Sequence, residues 1–392
     1  MERRHPLTLP GTPVDVSTLS SRMLIRVLRE TRPGERRVAI TPRAAAGLVQ
    51  RGHRVVVDAG AGTDAGFPDT AYAAAGAELT AESPPQADLV LTIGPPTLED
   101  IGQAGAVVGF LDPLGDPGAI RRLAESGITA IAMEMIPRTT LAQSMDALSS
   151  QATVAGYEAV LLAAGSLPRL FPMLMTAAGT IRPSKVLVLG AGVAGLQAIA
   201  TAKRLGAVVS GYDIRPAARE QIESLGAKFV GGPVAAEAEG ADGYAGEVDE
   251  ATGRAQQAAL AAAAADSDVV ITTAQVPGRR APILVTKAMV ESMKPGAVIV
   301  DTAAATGGNC ELTAPGETVT HGGVTIYGPL DLASRAAGDA SEMYSRNVMS
   351  LLDHLITDGE LRLDPADEIA EACVARGGDI VSERVRAAEG GS

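Results

Sequence analysis

A glycine-rich turn between an apolar run and a helix-forming stretch constrains this chain more than any other feature. Residues 186–189 have the pattern of a buried strand, and Gly190-Ala191-Gly192-Val193-Ala194-Gly195 follows them directly. In such a turn the first glycine allows the bend, the second admits a pyrophosphate, and the third lets helix and strand pack closely. The free N–H groups that open the following helix attract phosphate. The pattern predicts a Rossmann domain that binds a dinucleotide.

An acidic residue falls where such a domain contacts the ribose of adenosine. Asp213 follows the next apolar run, 208–212, and lies about twenty residues after Gly190. A carboxylate at this point binds the ribose hydroxyls and repels the 2′-phosphate of NADP, so it favours NAD(H). Arg215 weakens that preference, because an arginine near this point can bind the phosphate. The alternative is a plain strand–helix turn with a capping aspartate.

Strand-like apolar runs alternate with helical patterns in two blocks of the chain, the second starting at Lys185. This alternation is typical of βαβ units and parallel sheets. A chain of 392 residues is also too long for one ordinary core. We therefore predict an α/β fold of two Rossmann-like domains with parallel sheets separated by a cleft. The first comprises 23–142 with about 336–392, and the second comprises 143–335.

Three further segments shape the predicted organisation. Residues 143–164, interrupted only by Gly156, predict one helix of about twenty residues that connects the domains. Apolar residues at helical spacing over 341–356 predict a helix that packs back on the first domain. Residues 231–254 are rich in glycine, alanine and acidic side chains. A loop of this length indicates a mobile functional loop or a plain acidic insertion.

Composition excludes several classes of protein. The formal net charge of −13 argues against nucleic-acid binding, which needs clustered lysine and arginine. Cys310 and Cys373 show no CxxC spacing and the four histidines are scattered, so neither a disulfide framework nor a metal site is predicted. No apolar run reaches the roughly 18 residues of a membrane span. Residues 1–22 lack the centre of a signal peptide, so we expect a disordered extension, or a true start at Met23, in a cytoplasmic protein without membrane insertion.

Several longer stretches resemble one family. Besides the glycine turn and the helix after it, they are 32–35 with 38–42, 142–151, 175–180, 243–245 and 307–310. With these the chain is similar to the NAD(H)-binding component of proton-translocating, Re/Si-specific NAD(P) transhydrogenases, in the form where this component is the first section of a divided alpha subunit. Alanine dehydrogenases are related to that group. The resemblance extends from Met23 to about Leu352.

The resemblance implies roles for individual residues. Arg138, Gln143, Asp146 and Ser149 correspond to residues that position the nicotinamide, its carboxamide and its ribose, and amide and Arg–Asp chemistry suits those tasks. Without the resemblance, 143–146 reads as an ordinary polar helix start. Tyr244 corresponds to the tyrosine of a mobile loop that closes over bound nucleotide. The other positions that match cofactor-binding residues are Thr139, Thr140, Ser144, Met145, Gly190, Gly192, Val193, Gly195, Asp213, Ile214, Arg215, Gly243, Gln256 and Gln275.

The chain departs from the family pattern at three places. Leu141 stands where the family usually has a second arginine of the nicotinamide loop, and Gln275 stands where it has leucine. Pro329 and Leu330 replace a more polar pair after Gly328. These departures concern the fine geometry of the site rather than the fold.

Two hydride reactions are compatible with the resemblance, and a non-catalytic NAD sensor is a third interpretation. An alanine dehydrogenase must move a proton as hydride leaves, and such relatives use a lysine and a histidine on the first domain. The matching strand ends, 92–96 and 110–113, contain neither. Direct transfer between two nicotinamides needs no general base and depends on holding the rings together. We therefore favour a transhydrogenase over a self-contained amino-acid dehydrogenase.

The sequence contains one glycine-rich dinucleotide-binding motif and no apolar run long enough to span a membrane. We therefore assign the other components of a transhydrogenase to other chains. We expect NAD(H) to bind here and NADP(H) to bind an exposed domain of a beta subunit. The proton path is expected in membrane partners, which include a membrane alpha subunit. The resemblance also implies a homodimer of this component, held at the inner face of the plasma membrane through those partners.

Overall fold

The first block of alternating segments forms an α/β unit. The computed structural model describes residues 23–81, 86–231, 250–276 and 278–390. The strands of the first unit are β1 (Leu24–Val27), β2 (Arg54–Asp58), β3 (Glu78–Thr80), β4 (Ala87–Leu91), β5 (Ala104–Gly109) and β6 (Thr129–Ala132). Its helices are α1 (Pro42–Gln50), α2 (Asp69–Ala74), α3 (Leu98–Ile101) and α4 (Pro117–Glu125), with 3₁₀ turns at Thr63–Ala65 and Met133–Met135.

The long helix predicted over 143–164 is wrong at its start. The chain first forms a 3₁₀ turn at Leu141–Met145, and α5 (Ala147–Ser166) begins only after Asp146. The carboxylate of Asp146 accepts a hydrogen bond of 2.9 Å from the backbone N–H of Ser149. Aspartate favours this N-cap arrangement because it satisfies a donor that the helix leaves unpaired. The N-cap at Asp146 therefore separates the 3₁₀ turn from α5, where the sequence pattern predicts one continuous helix.

A small separate hairpin follows α5, and the second block then forms a Rossmann-like unit. The hairpin consists of β7 (Leu174–Thr176) and β8 (Gly179–Ile181). The unit's strands are β9 (Lys185–Leu189), β10 (Val208–Tyr212), β11 (Lys228–Phe229), β12 (Val269–Thr272), β13 (Val298–Asp301), β14 (Thr318–His321) and β15 (Val324–Tyr327). Its helices are α6 (Val193–Arg204), α7 (Pro216–Ser224), α8 (Glu250–Asp266) and α9 (Lys287–Ser292), with a 3₁₀ turn at Ala304–Thr306.

The last section of the chain returns to the first unit. After a 3₁₀ turn at Ala333–Ala336 come α10 (Ala337–Leu355), β16 (Ile356–Thr357), β17 (Glu360–Leu361), a 3₁₀ turn at Glu368–Ala372, β18 (Cys373–Arg376), β19 (Asp379–Ile380) and α11 (Glu383–Gly390). Tyr344, Val348 and Leu351 of α10 are fully buried in one core with Ile25 and Leu48. The amphipathic pattern predicted this packing.

Both main sheets are mostly parallel. In the described ranges of the chain the first has the order β19-β18-β6-β5-β4-β1-β2-β3, and the second has the order β11-β10-β9-β12-β13-β15-β14. The chain leaves the central strand β9 towards β10 on one side and later returns to β12 on the other. In α/β sheets ligands bind at such a switch point, outside the carboxyl ends of the strands.

Three strands at the ends of the two sheets pair antiparallel with a neighbour. β18 pairs antiparallel with β6, β19 pairs antiparallel with β18, and β14 pairs antiparallel with β15. The last pair is joined by Gly322 and Gly323, which have φ values of 57° and 83°. Two positive φ values in a two-residue loop are what a tight hairpin requires, and two adjacent glycines adopt them readily. These strands are too short to have shown a period in the sequence.

Two predicted segments fall wholly or partly outside the described residues. The N-terminal extension 1–22 lies outside them, as does 232–249 of the predicted mobile loop. The end of that loop was placed too late, because α8 already begins at Glu250. None of the helices in the described ranges combines the length with the apolar composition that a membrane span needs.

α5 packs against both units. A Cβ on Gly156 would collide with the carbonyl oxygen of Ala194, so this glycine allows α5 to lie directly on α6. On its other side Gln151 donates a hydrogen bond of 3.0 Å to the carbonyl oxygen of Ala340 in α10. One helix thereby fixes the position of the second unit relative to the first.

A buried charge cluster stands beside this helix. Arg37 pairs with Glu35 at 2.7 Å and with Asp331, and it donates a hydrogen bond of 2.8 Å to Gln151. Ser334 donates another of 2.6 Å to Glu35. Burial opposes ionisation of Glu35, but the hydrogen bonds and charge of Arg37 lower the pKa of Glu35 to about 2. The cluster joins the first unit to the segment where the chain re-enters it.

Candidate functional site

A cleft opens between the loop before α5 and the carboxyl edge of the second sheet. Its volume is ≈ 670 Å³, within the range of about 300–1,000 Å³ typical of ligand sites. Four segments contribute to its wall. The lining residues are Pro137, Arg138, Thr139, Thr140, Ala142, Gln143, Asp146, Ser149, Gly190, Gly192, Val193, Tyr212, Asp213, Ile214, Arg215, Thr273, Ala274, Gln275, Val276, Pro282 and Leu284.

The glycine turn sits at the centre of the cleft. Gly190 has a φ of 97°, a left-handed conformation that glycine adopts without strain. A Cβ on Gly195 would collide with the carbonyl oxygen of Gly190, so the third glycine allows α6 to pack on β9. A Cβ on Gly192 would meet no protein atom within 4 Å, and Gly192 lines the cleft. The backbone at Gly192 is therefore open to a ligand in the cleft.

Asp213 is held in place by its surroundings. Its carboxylate accepts a hydrogen bond of 2.7 Å from the backbone N–H of Ala191 and three more from Arg215, at 2.9, 3.0 and 3.0 Å. Burial raises the pKa of Asp213, but the hydrogen bonds from Arg215 and Ala191 outweigh it and hold the pKa below its usual range. The group is thus an ionised acceptor, linked directly to the glycine turn.

The loop before α5 forms the opposite wall. Gln143 is exposed on this wall, while Asp146 receives hydrogen bonds from the backbone N–H and, at 2.5 Å, the hydroxyl of Ser149. The hydroxyl of Thr139 donates a hydrogen bond of 2.7 Å to Glu368, far away in the sequence. The side chain of Asn347 in α10 donates another of 2.8 Å to the carbonyl oxygen of Ser144. The C-terminal section of the chain therefore holds this loop.

Tyr212 and Thr273 complete the wall beside the glycine turn. Tyr212 donates a hydrogen bond of 3.0 Å to Gln256, and burial, helped by the charge of Asp213, raises the pKa of Tyr212 to about 12. Thr273 donates one of 3.0 Å to the carbonyl oxygen of Gly190. Gln275 is exposed and donates one of 2.9 Å to the carbonyl oxygen of Thr302.

The structure brings most of the predicted site residues together. Thirteen of them line the cleft: Arg138, Thr139, Thr140, Gln143, Asp146, Ser149, Gly190, Gly192, Val193, Asp213, Ile214, Arg215 and Gln275. Four described ones lie off the wall. Met145 is buried in the first core, Gly195 supports the turn from behind, Gln256 bonds Tyr212, and Ser144 contributes its backbone to the contact with Asn347. Gly243 and Tyr244 lie outside the described residues.

The apolar and backbone portion of the wall cannot be predicted from the site motifs in the sequence. Pro137, Ala142, Thr273, Val276 and Pro282 are examples. Such residues carry no chemical signature, and only the strand ends that precede 137 and 273 could have indicated them.

The carboxyl edge of the first sheet is filled by its own side chains. Glu30 accepts hydrogen bonds from the hydroxyl of Thr92 at 2.8 Å and the backbone N–H of Ile93 at 2.6 Å. A Cβ on Gly94 would collide with the guanidinium of Arg32, which covers this point. Arg32 also bonds Glu35 at 3.1 Å. Glu30 and Arg32 therefore occupy the switch point between β1 and β4.

One acid at this edge, Glu134, has an unusual pKa. Burial raises the pKa of Glu134 to about 7, although its carboxylate accepts a hydrogen bond of 2.6 Å from the backbone N–H of Asp112. Glu134 does not line the cleft. Within the ranges that the structure describes, no group of His, Cys, Asp or Glu side chains has the arrangement of a metal site.

The chain matches one protein family over most of its length. Residues 26–155 match the description "Alanine dehydrogenase/PNT, N-terminal domain", and residues 159–383 match "Alanine dehydrogenase/PNT, C-terminal domain". The two matches meet within α5, between the two sheets.

Individual relatives match almost the whole length of the chain. It is 44% identical to the first section of the divided alpha subunit of NAD(P) transhydrogenase from Rickettsia prowazekii, over 93% of this chain and 97% of that protein. It is 45% identical to the protein of the same name from Rhodospirillum rubrum, over 92% and 98%. A crystal structure of transhydrogenase from Sinorhizobium meliloti superposes with a TM-score of 0.83 at 44% identity, covering 91% of this chain and 100% of that chain.

Proposed function

The chain belongs to the alanine dehydrogenase/PNT family, and we propose that it is the NAD(H)-binding catalytic subunit of a proton-translocating, Re/Si-specific NAD(P) transhydrogenase. The observation that carries this proposal is the cleft, which joins the glycine turn and Asp213 to the loop with Arg138 and Gln143. The relatives named as the first section of a transhydrogenase alpha subunit, which match over 92–93% of this chain, support the same assignment.

The residues of the cleft fit a dinucleotide. The open backbone at Gly192 and the first N–H groups of α6 suit a pyrophosphate. Asp213, ionised and 9% exposed, suits the hydroxyls of the adenosine ribose and disfavours a 2′-phosphate. On the far side Gln143 offers an amide that can both donate to and accept from a carboxamide. NAD(H) rather than NADP(H) is therefore the nucleotide we assign to this chain.

Bound NAD(H) supplies or accepts the hydride, and the residues of this chain fix its position. The nicotinamide end would be held by Arg138, Gln143, Asp146 and Ser149, opposite the wall that reaches Leu284, and the adenosine end by Asp213; all of these residues line the cleft. Direct transfer to a second nicotinamide depends on the distance and alignment of the two rings. No proton has to be moved by the protein at the reacting carbon.

The alternative, a self-contained amino-acid dehydrogenase, needs an acid–base residue within reach of the nicotinamide. Among the described residues, the cleft wall contains no lysine and no histidine. The first sheet's edge is filled by Arg32 and Glu30, and Glu134, the acid whose pKa is near 7, lies off the cleft wall. These observations favour the transhydrogenase over the dehydrogenase and leave NADP(H) to a beta-subunit partner.

The same assignment implies partners of two kinds. We assign the proton path to a membrane alpha subunit and to the beta subunit, which hold this chain at the inner face of the plasma membrane. We also assign a homodimer. The β7–β8 hairpin supports it, because Met173, Leu174, Met175 and Ile181 are all exposed, Met175 to 76%. An isolated hairpin is only marginally stable in water, so a second copy that covers it would be stabilising.

A reconstitution experiment tests the proposal. The chain is mixed with the NADP(H)-binding domain of a transhydrogenase beta subunit, and NADH-dependent reduction of an NADP⁺ analogue is followed spectroscopically. We expect hydride transfer only in the mixture. Oxidation of NADH by this chain alone with pyruvate and ammonia would instead establish the dehydrogenase. Sedimentation of Met175→Asp against the native chain tests the dimer, which the variant should weaken.

A further inference from the structure

A buried amide stands behind one wall of the cleft. Asn309 follows β13 in a loop, is 0% exposed, and does not itself line the cleft. Its side chain nevertheless bonds the backbone of residues that do. The inference drawn from it rests on the proposed function, because it concerns the nicotinamide half of a bound dinucleotide.

The order of the second sheet shows which half of the nucleotide this wall faces. Asp213 follows β10, and the glycine turn follows β9, its neighbour. Ala274 follows β12, which pairs with β9 on the side away from β10. A dinucleotide with its adenosine ribose at Asp213 and its pyrophosphate at Gly192 therefore extends its other half over the end of β12. The wall formed by Ala274, Gln275, Val276, Pro282 and Leu284 borders that half.

Asn309 joins the two ends of this wall. Its Nδ2 donates hydrogen bonds of 2.8 Å to the carbonyl oxygen of Ala274 and of 2.8 Å to that of Pro282. Its Oδ1 accepts one of 3.0 Å from the backbone N–H of Ala274. The two donors and one acceptor of the amide are thus all directed at residues of the cleft wall. A buried amide satisfied in this way specifies one arrangement of the backbone around it.

The backbone of Asn309 is fixed in turn. Its carbonyl oxygen accepts hydrogen bonds from the N–H groups of Leu284 and Val285, at 2.8 and 3.0 Å. Its own N–H donates one of 2.8 Å to Asp301, which is fully buried at the end of β13. Asp301 also accepts one of 2.8 Å from the hydroxyl of Thr272, the last residue of β12. The wall is therefore anchored to two strands of the sheet through one residue.

We propose that Asn309 is a positioning residue that sets the distance between the nicotinamide half of the nucleotide and the loop carrying Arg138 and Gln143. It acts through Ala274 and Pro282 and touches no portion of the ligand. Loss of the Asn309 side chain should weaken binding of the nicotinamide half of the nucleotide. Binding of the adenosine half, at Asp213, should not change.

The test compares two ligands in one set of variants. Asn309→Leu keeps the branching of the side chain at Cγ but makes none of the three side-chain hydrogen bonds, and the probes are NADH and 5′-AMP, titrated by calorimetry. We expect the Kd for NADH to rise at least tenfold, the Kd for 5′-AMP to stay within twofold, and hydride transfer in the reconstituted mixture to slow. Cys310→Ala is the matched control, because Cys310 is the buried neighbour whose side chain packs into a core. It should lower thermal stability and leave both Kd values unchanged.

Asn309→Asp makes NADH affinity depend on pH, which is not expected if Asn309 has only a structural role. Its ionised carboxylate loses both donors, whereas its protonated form regains one, so NADH affinity should recover as pH falls in this variant alone. Folded Asn309→Leu and Asn309→Asp that bind NADH as the native chain does would overturn the proposal. Equal weakening of NADH and 5′-AMP would also overturn it, since it would mean a general distortion. Failure of the native chain to bind NADH would instead refute the proposed function.

Discussion

Replacement of Asp213 by alanine tests two roles of this carboxylate, one in the stability of the glycine turn and one in nucleotide binding. In the structure it accepts hydrogen bonds from the backbone N–H of Ala191 and from Arg215, and it stands where the adenosine ribose is expected. Asp213→Ala therefore leaves a donor of the glycine turn without a partner and removes the acceptors for the ribose hydroxyls. Ala191 is only 1% exposed, so its N–H loses its hydrogen-bond partner at a buried position.

The size of both effects follows from the bonds that are lost. A buried donor left unpaired costs about 1–3 kcal/mol, and the free energy of unfolding should fall by that amount. Loss of hydrogen bonds between a carboxylate and the ribose should weaken NADH by about 1–3 kcal/mol, which is roughly a 5- to 150-fold rise in Kd. Removal of the negative charge should also reduce discrimination against NADPH.

Calorimetric titration with NADH and NADPH measures the affinities, and urea unfolding measures the stability. Asp213→Asn can still accept from Ala191, so it should lose less stability while still relaxing the discrimination. Glu223→Ala is the control for charge, because Glu223 is 53% exposed on α7 and pairs with Arg219 away from the cleft. It should change neither affinity nor discrimination. Unchanged NADH affinity in Asp213→Ala would refute the assignment of the adenosine end.

Three further outcomes are expected. Gln143→Asn should keep the free energy of unfolding within about 1 kcal/mol, since the residue is exposed, yet slow reconstituted hydride transfer tenfold or more; full activity would contradict its role. Arg37 lowers the pKa of Glu35 to about 2, so ionised Glu35 should contribute to the free energy of unfolding above about pH 4.5. This contribution should be lost as pH falls towards 2. Urea unfolding from pH 6 to 3 should show less acid destabilisation in Glu35→Gln than in the native chain. Gly156→Ala should destabilise by about 1–3 kcal/mol in the same assay, since its Cβ would meet the backbone of Ala194; an unchanged midpoint would contradict this close packing.

The centre of the site could be predicted from local sequence because its chemistry is local. Gly190 has a left-handed conformation and Gly195 packs against the carbonyl oxygen of Gly190, so both positions require glycine, while Gly192 leaves the backbone open to the cleft. Asp213 follows at the distance that one helix and one strand require. These residues could therefore be placed without knowledge of the tertiary structure.

The rest of the site depends on contacts between distant segments. Thr139 meets Glu368, and Asn309 reaches back to Ala274, although no periodic pattern connects either pair. The helix start at Asp146 was also missed, because polar residues in 143–146 suit both a helix turn and a cap. Side-chain chemistry alone does not resolve such choices. The surrounding packing decides them.

If this chain holds NAD(H) for direct hydride transfer to a second nicotinamide on a partner, the transferred hydrogen does not exchange with solvent. The most direct test uses NADH labelled with deuterium at the transferable C4 position, mixed with the chain, the NADP(H)-binding partner domain and NADP⁺ in ordinary water. Direct transfer predicts that the deuterium appears in NADPH without dilution by solvent protons. Loss of the label to water, or formation of unlabelled NADPH, would contradict the account.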